Sequence, residues 1–299
     1  MTPQTTRAGF VALIGRPNVG KSTLLNRLVG VHLAAVSPKA QTTRHRIPGF
    51  RVEKDTQIVF VDTPGVLEPG YALQAAMVES ARAAIEGVDA IYWLVDGDEV
   101  SDPEHRLLTL LQDDPAPVFL VLTKSDRESR DALDRRTAAW AGAFSWAGCY
   151  ALSATTGEGV DDLLTATRKL LPEQPFFYPE EDLTDLSLRF LSAELIREAC
   201  YRELGAELPY SVHAVVTDWI EPSDDRRKTA LEATLYVERD SQKGMVIGQG
   251  GKKVKAIGIR ARRAIEALID GPVYLSLQVK VRKKWSRREA DLKFFGYKP

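Results

Sequence analysis

Gly15-Arg16-Pro17-Asn18-Val19-Gly20-Lys21-Ser22 is the stretch on which the reading of this chain turns. It matches G-x-x-x-x-G-K-[ST] and stands where that loop must stand, after the apolar run Phe10–Ile14 and before a helical stretch beginning at Thr23. Glycines let successive backbone N–H groups curl around phosphate oxygens, and the following helix adds the positive end of its dipole. Lys21 is placed to neutralise β- and γ-phosphates, and Ser22 offers a hydroxyl to Mg2+. A glycine-rich turn arising by chance accounts for neither the strand, the Gly-Lys-Ser ending nor the helix.

Working outward, further apolar runs occur at Ile58–Val61, Ala90–Val95, Val118–Leu122 and Tyr150–Leu152, separated by helix-length segments. Short, continuously apolar strands alternating with helices predict a largely parallel sheet covered on both faces, with ligands at the carboxyl ends of its strands. Three of those ends carry chemistry. Asp62-Thr63-Pro64-Gly65 puts a carboxylate where it can hold Mg2+ and a glycine N–H near the γ-phosphate, with Val66 next in line. Thr123-Lys124-Ser125-Asp126 puts a carboxylate where it can accept from guanine N1–H and the exocyclic amine, a pair adenine cannot supply. Lys124 would lie along the base plane, Ser125 is expected to be exposed filler, and Ser153-Ala154 would bring a backbone N–H to guanine O6.

The alternation stops near Leu171, where Pro172, Pro175 and Pro179 surround Phe176, Phe177 and Tyr178. This predicts a first domain over residues 1–172, a linker over 173–183 and a second domain over 184–299. The net charge of −1 hides an asymmetry: residues 243–299 hold 15 Lys and Arg against 4 Asp and Glu, leaving 25 against 37 upstream. Such a basic end suggests a polyanionic partner. Gly248-Gln249-Gly250-Gly251 lies between the apolar Met245-Val246-Ile247 and a basic helix over 252–269, the helix–GxxG–helix arrangement of KH domains. Glycines there admit a nucleic-acid backbone, Lys252, Lys253, Lys255, Arg260, Lys283 and Lys284 add charge, and Val246, Ile247, Val254 and Ile257 would floor a groove for unpaired bases. Trp285 is either a stacking platform or core.

Cys149 and Cys200 have no partner at metal-ligand spacing, which argues against a disulfide frame or a zinc site and for a reducing, cytoplasmic setting. The polar Met1–Ala8 lacks the features of a secretory signal, and no apolar stretch reaches the length of a membrane span.

Taken together, the phosphate loop, the Asp62 and Thr123 motifs and Ser153-Ala154 resemble the successive motifs of translation-factor-class GTPases. Adding Lys39-Ala40-Gln41-Thr42-Thr43-Arg44-His45-Arg46, Gly205 to Val212 and Gly248 to Gly251 extends the resemblance to the Era family of bacterial GTPases, of the Era/TrmE type, over nearly the whole chain. The resemblance implies an α/β P-loop GTPase domain, with a mostly parallel six-stranded sheet and helices on both faces, followed by an α+β type II KH domain. It implies Thr42 and Thr43 as the switch that closes on the γ-phosphate and Mg2+, without choosing between them, and Lys21, Asn18 and Gly65 as catalytic. It also implies a K+ ion held by Asn18, binding to the 3′ region of 16S rRNA, a part in 30S subunit assembly and a monomer that can sit peripherally on the inner face of the membrane. Two departures from the common small-GTPase pattern stand out. Val66 replaces the glutamine that orients water, so intrinsic hydrolysis should be slow, and Thr123 replaces asparagine. GTP is expected to order the switch and favour RNA. The competing readings are a membrane-associated signalling GTPase whose basic tail binds anionic lipid, and a P-loop kinase, which Asp126 disfavours.

Overall fold

The first apolar run folds as β1 (Arg7–Gly15), with every residue from Val11 to Gly15 buried. Side chains alternate between the faces of a strand, so unbroken burial means that both faces are covered. The computed structural model describes residues 5–65, 68–112, 115–222 and 228–297. After β1 come α1 (Lys21–Val29), β2 (Ile47–Glu53), β3 (Thr56–Asp62), α2 (Ala72–Ala83), β4 (Ala90–Val95), α3 (Asp102–Leu110), β5 (Val118–Leu122), α4 (Arg130–Ala141), β6 (Gly148–Ala151) and α5 (Val160–Leu170).

The strands form one sheet in the order β2-β3-β1-β4-β5-β6, parallel throughout except for β2, which runs antiparallel to β3. β1 has β3 on one side and β4 on the other, so the chain reverses its direction of travel across the sheet at β1, opening a crevice at the strands' carboxyl ends. Strand β2 has no counterpart among the apolar runs of the sequence. It carries Pro48 and Gly49, residues tolerated at a sheet edge, and is only partly buried. The proline-rich segment over 173–183 packs along this side of the sheet: Tyr178 stacks on Phe50 at 3.9 Å, and the buried Gln57 amide accepts from Phe177 N at 2.8 Å and donates to Tyr178 O at 2.8 Å.

The later part of the chain folds as α6 (Leu188–Glu203), β7 (His213–Ile220), β8 (Thr229–Val237), α7 (Asp240–Ile247), α8 (Lys252–Ile269), β9 (Val273–Val281) and α9 (Glu289–Phe294). Central β8 pairs antiparallel with β7 and parallel with β9. Leu195, Ile196 and Ala199 of α6 and Ile257, Ala261 and Ile265 of α8 share a core with Leu231, Leu235 and Val237 of β8. Val246 and Ile257 are fully buried in this core, so they cannot floor an open groove. Trp285 is core as well: it is fully buried, donates from Nε1 to Ser211 O at 3.0 Å and packs against His213 and Phe295. Base stacking by its ring is thereby excluded.

Contact density divides the chain into two units, Met1–Val31 with Thr43–Pro69 and Met77–Asp185, and His32–Thr42 with Gly70–Ala76 and Leu186–Pro299.

Candidate functional site

The phosphate loop joins the carboxyl end of β1 to α1, with Gly20 as N-cap. Val19 is fully buried, whereas Asn18 is exposed at φ 67°. Lys21 is buried and donates to the loop's own carbonyls, Gly15 O at 3.0 Å and Arg16 O at 2.8 Å. Burial lowers its pKa to about 8, against the opposing pull of Asp62, Asp96 and Glu104. Thr23 lies in the first turn of α1.

Register brings the second motif to the same edge, because Asp62 pairs with Leu13 two residues before Gly15. Asp62 Oδ2 accepts from Ser22 Oγ at 2.6 Å and Thr43 Oγ1 at 3.2 Å, and the two hydroxyl oxygens lie 2.7 Å apart. Asp62 Oδ1 is buried with no hydrogen-bond partner. Burial raises the carboxyl pKa to about 6, opposed by Lys21 and by the bonds from Ser22 and Thr43. A carboxylate oxygen lacking a donor, beside two hydroxyl oxygens, is a donor set that suits a hard divalent cation such as Mg2+. Thr42 is not part of this cluster: its Oγ1 lies 2.6 Å from Ser37 Oγ and donates to Lys39 O at 2.7 Å. Thr63 donates to Leu13 O at 2.7 Å, Pro64 and Gly65 are buried, and Val66 lies outside the described residues.

Thr123–Asp126, the segment expected to read the base, follows β5. The Thr123 hydroxyl donates to Val19 O at 2.6 Å and lies 3.1 Å from Val95 O, so it ties the phosphate loop to β4 and keeps a share of an asparagine's bridging role. Lys124 adopts φ 60° and pairs with Asp96 at 2.5 Å. Asp126 is exposed in the short turn Ser125–Arg127. Ser125 is not exposed filler: it is partly buried, and its Oγ is enclosed without a partner. Ser153 N donates to Glu158 O at 3.0 Å, and Ala154 follows it in the loop after β6.

Sequence reasoning missed the residues that hold these loops. Arg27 of α1 donates to Ala154 O at 2.9 Å and to Thr155 O, and the buried Arg136 pairs with Glu128 and Asp98 while reaching Thr123 O. Asp96 was the detectable one, since it closes a buried strand just as Asp62 does. In the second unit, residues before Thr42 rest on α6: Tyr201 OH donates to Gln41 O at 3.0 Å, Arg202 Nη2 donates to Val36 O at 2.9 Å, and His32 Nε2 meets Glu198 at 2.7 Å.

The basic turn has the backbone its glycines imply. Gly248, Gly250 and Gly251 have φ of 70°, 58° and 76°, and α8 begins at Lys252 with no side-chain cap on its N–H groups. A Cβ at Gly248 would lie 2.9 Å from Lys253 Cγ, while space around Gly250 and Gly251 is open. Gln249, Lys252, Lys253 and Lys255 are exposed, and Ile247 and Val254 are partly so. Three charges of the basic set lie elsewhere: Arg260 pairs with Glu203 of α6 at 2.7 Å, and Lys283 and Lys284 line a cleft of about 520 Å³ together with Arg287 and with Arg239, the N-cap of α7.

Comparison with known proteins agrees with both halves. A family model described as a 50S ribosome-binding GTPase matches residues 10–124, and a KH domain model matches residues 207–286. The GTPase Era of Geobacter metallireducens is 43% identical over 99% of this chain and all of its own length, and that of Geotalea uraniireducens is 44% identical with the same coverage. The chain belongs to the Era family of GTPases. Era of Aquifex aeolicus, solved with GDP and aluminium fluoride, superposes with a TM-score of 0.93 at 34% identity, covering 98% of this chain and all of the other. An Era solved with MgGDPNP and nucleotides 1506–1542 of 16S rRNA superposes at 0.91 with 33% identity and the same coverage. The fold class expected from sequence is thus borne out. The broader Era/TrmE label is corrected to Era, since these full-length relatives are Era proteins.

Proposed function

We propose that this chain is a GTP-hydrolysing switch whose KH domain binds single-stranded RNA from the 3′ region of 16S rRNA during 30S subunit assembly. The observation that carries the reading is the convergence of Lys21, Ser22, Asp62 and Thr43 on one crevice, backed by the Era solved with MgGDPNP and 16S rRNA. Gly15–Thr23 cradle the phosphates, Thr123–Asp126 with Ala154 read guanine, and Lys21, Asn18 and Gly65 act on the charge that develops at the γ-phosphate. Ser22, Asp62 and Thr43 hold Mg2+, with Thr43 rather than Thr42 favoured because its hydroxyl already faces Asp62. Bound there, Mg2+ neutralises charge on the β- and γ-phosphates.

Residues 1–172 form the GTPase domain, 173–183 the linker and 184–299 the KH domain, and the chain works as a monomer in the cytoplasm. The RNA backbone meets Gly248–Gly251 at the N-terminus of α8, with Ile247, Lys252, Lys253 and Lys255 beside it and Arg260, Lys283 and Lys284 widening the field. Closure of the switch on GTP is passed to α6 through the segment that ends at Thr42. Asn18 would be the residue to hold K+, which would supply positive charge beside the γ-phosphate, and equal turnover in sodium and potassium buffers would remove the ion from the scheme. The decisive test is Asp126→Asn, which moves preference from guanine to xanthine nucleotides by two or more orders of magnitude while binding of a 16S 3′-end oligonucleotide persists (~10²-fold or more for a mispaired buried donor set). Unchanged guanine preference refutes the base-reading role of Asp126. Loss of RNA to anionic vesicles in competition would favour the lipid-binding alternative, in which the basic face holds the chain peripherally on the membrane.

A further inference from the structure

One carboxylate beside the phosphate loop has entered so far only through its pull on Lys21. Glu104, in the first turn of α3, is completely buried. Its Oε2 accepts from Ser101 N at 2.9 Å and Ser101 Oγ at 2.7 Å and faces Arg16 Nε at 3.1 Å, while Oε1 is enclosed with no partner. The Ser101 contacts make a capping box, which by itself would explain a glutamate at this position. It does not explain the burial. A capping glutamate works equally well at the surface, whereas taking an ionised carboxylate out of water is unfavourable by several kcal/mol unless a cation compensates. That cation is Arg16, the second residue of the phosphate loop.

Arg16 is held on two counts. Beyond its bond to Glu104, its Nη2 donates to Glu99 O at 3.1 Å, so its guanidinium is fastened to the segment between β4 and α3. The opposite flank of the same turn is wedged by Gly65, where a Cβ would lie 2.5 Å from Pro17 N. The main chain of Arg16 also carries one of the two carbonyls that receive Lys21. The outer turn Arg16–Asn18 is therefore gripped from both sides, and one grip depends on a single buried charge whose field also reaches Lys21.

We infer that Glu104 is a positioning residue for GTP hydrolysis: through Arg16 it fixes the outer turn of the phosphate loop, and with it Asn18, where negative charge grows as the γ-phosphate leaves. This rests on the GTPase reading of the cleft. Diphosphate binding draws chiefly on the inner loop and helix N-terminus, Gly20–Ser22, which Glu104 reaches only through its field at Lys21, and on the main chain rather than the side chain of Arg16, so removing either side chain should fall more heavily on turnover than on ground-state binding.

The test measures GDP affinity with a fluorescent analogue and single-turnover GTP hydrolysis for the full chain and for Glu104→Gln, Arg16→Gln and the double variant. Each single variant should lose about tenfold in the hydrolysis rate with GDP affinity within about threefold, and the double variant should be no slower than either single one, because the two residues act as one unit. Arg16→Lys should recover part of the rate. Arg16→Gln leaves the Ser101–Glu104 cap in place and decides the matter where Glu104→Gln does not fold. Rates within twofold of the parent, additive losses, or a fall in GDP affinity that matches the fall in rate would each overturn the assignment. Absence of GTP hydrolysis by the parent chain would instead mark failure of the GTPase reading.

Discussion

Two glycine loops in this molecule lead into a helix N-terminus with lysine at its head, and burial makes them different instruments. At Gly15–Ser22 the lysine is buried, faces two loop carbonyls and feels three carboxylates, and its loop is wedged by neighbouring strand ends. At Gly248–Gly251 the lysines are exposed and two of the glycines face open space. A low-dielectric, preorganised pocket discriminates among small anions and stabilises developing charge, whereas an open turn tracks a polyanion whose affinity is set by counter-ions.

The contrast is put at greatest risk by Lys21→Ala, which should cut single-turnover hydrolysis by roughly 10²- to 10³-fold and leave the salt dependence of RNA binding as it was. Replacing both Lys252 and Lys253 with alanine should do the reverse. RNA affinity at moderate salt falls about tenfold, the slope of log affinity against log salt flattens by about 1.4, and GDP binding is unaffected. If that slope is unmoved, the lysines do not meet phosphates. Gly250→Ala meets no neighbouring atom, so only its φ of 58° opposes it; the backbone penalty of ~1 kcal/mol should weaken RNA binding about fivefold in filter assays.

The smallest effect concerns pH and sharpens the comparison from the other side. Asp62, raised to about 6, must lose its proton to hold a cation, so affinity for the Mg2+ nucleotide should halve near pH 6 and fall further below it. Lys21, lowered to about 8, must keep its proton to meet phosphate, so affinity should fall again above about pH 8. Between these limits it should be flat. Asp62→Asn should abolish the acid limb in a fluorescent-nucleotide titration, and RNA binding should show neither limb.

Most of this was legible in the chain because strands buried on both faces leave long apolar runs and phosphate loops need glycine at fixed spacing. The apolar runs Ala90–Val95 and Val118–Leu122 coincide with β4 and β5, and the basic helix expected over about 252–269 is α8. The edge strand β2 was not, since half-exposed Ile47–Glu53 with Pro48 and Gly49 has neither a continuous nor an alternating pattern. The groove floor was misassigned because helical spacing gives Val246 and Val254 the same apolar label, and only packing shows one buried and the other partly open. Arg136 and Glu104 were invisible for a related reason, since a buried ion pair between separate segments has no local signature, and neither has the exposed Arg27, which bonds backbone carbonyls far along the chain.

Strand β2 bears on how far the switch can travel. Ile47 is paired with Asp62, so the chain just beyond Thr43 is stitched to the strand that ends in the cation-facing carboxylate. Four residues of fully extended backbone span at most about 14 Å. As the proposed switch residue, Thr43 would thus be leashed: it could swing clear when the γ-phosphate departs, yet would stay within one short reach of its post unless the edge ladder unzipped, and re-arming for the next round would be a local search rather than a refolding.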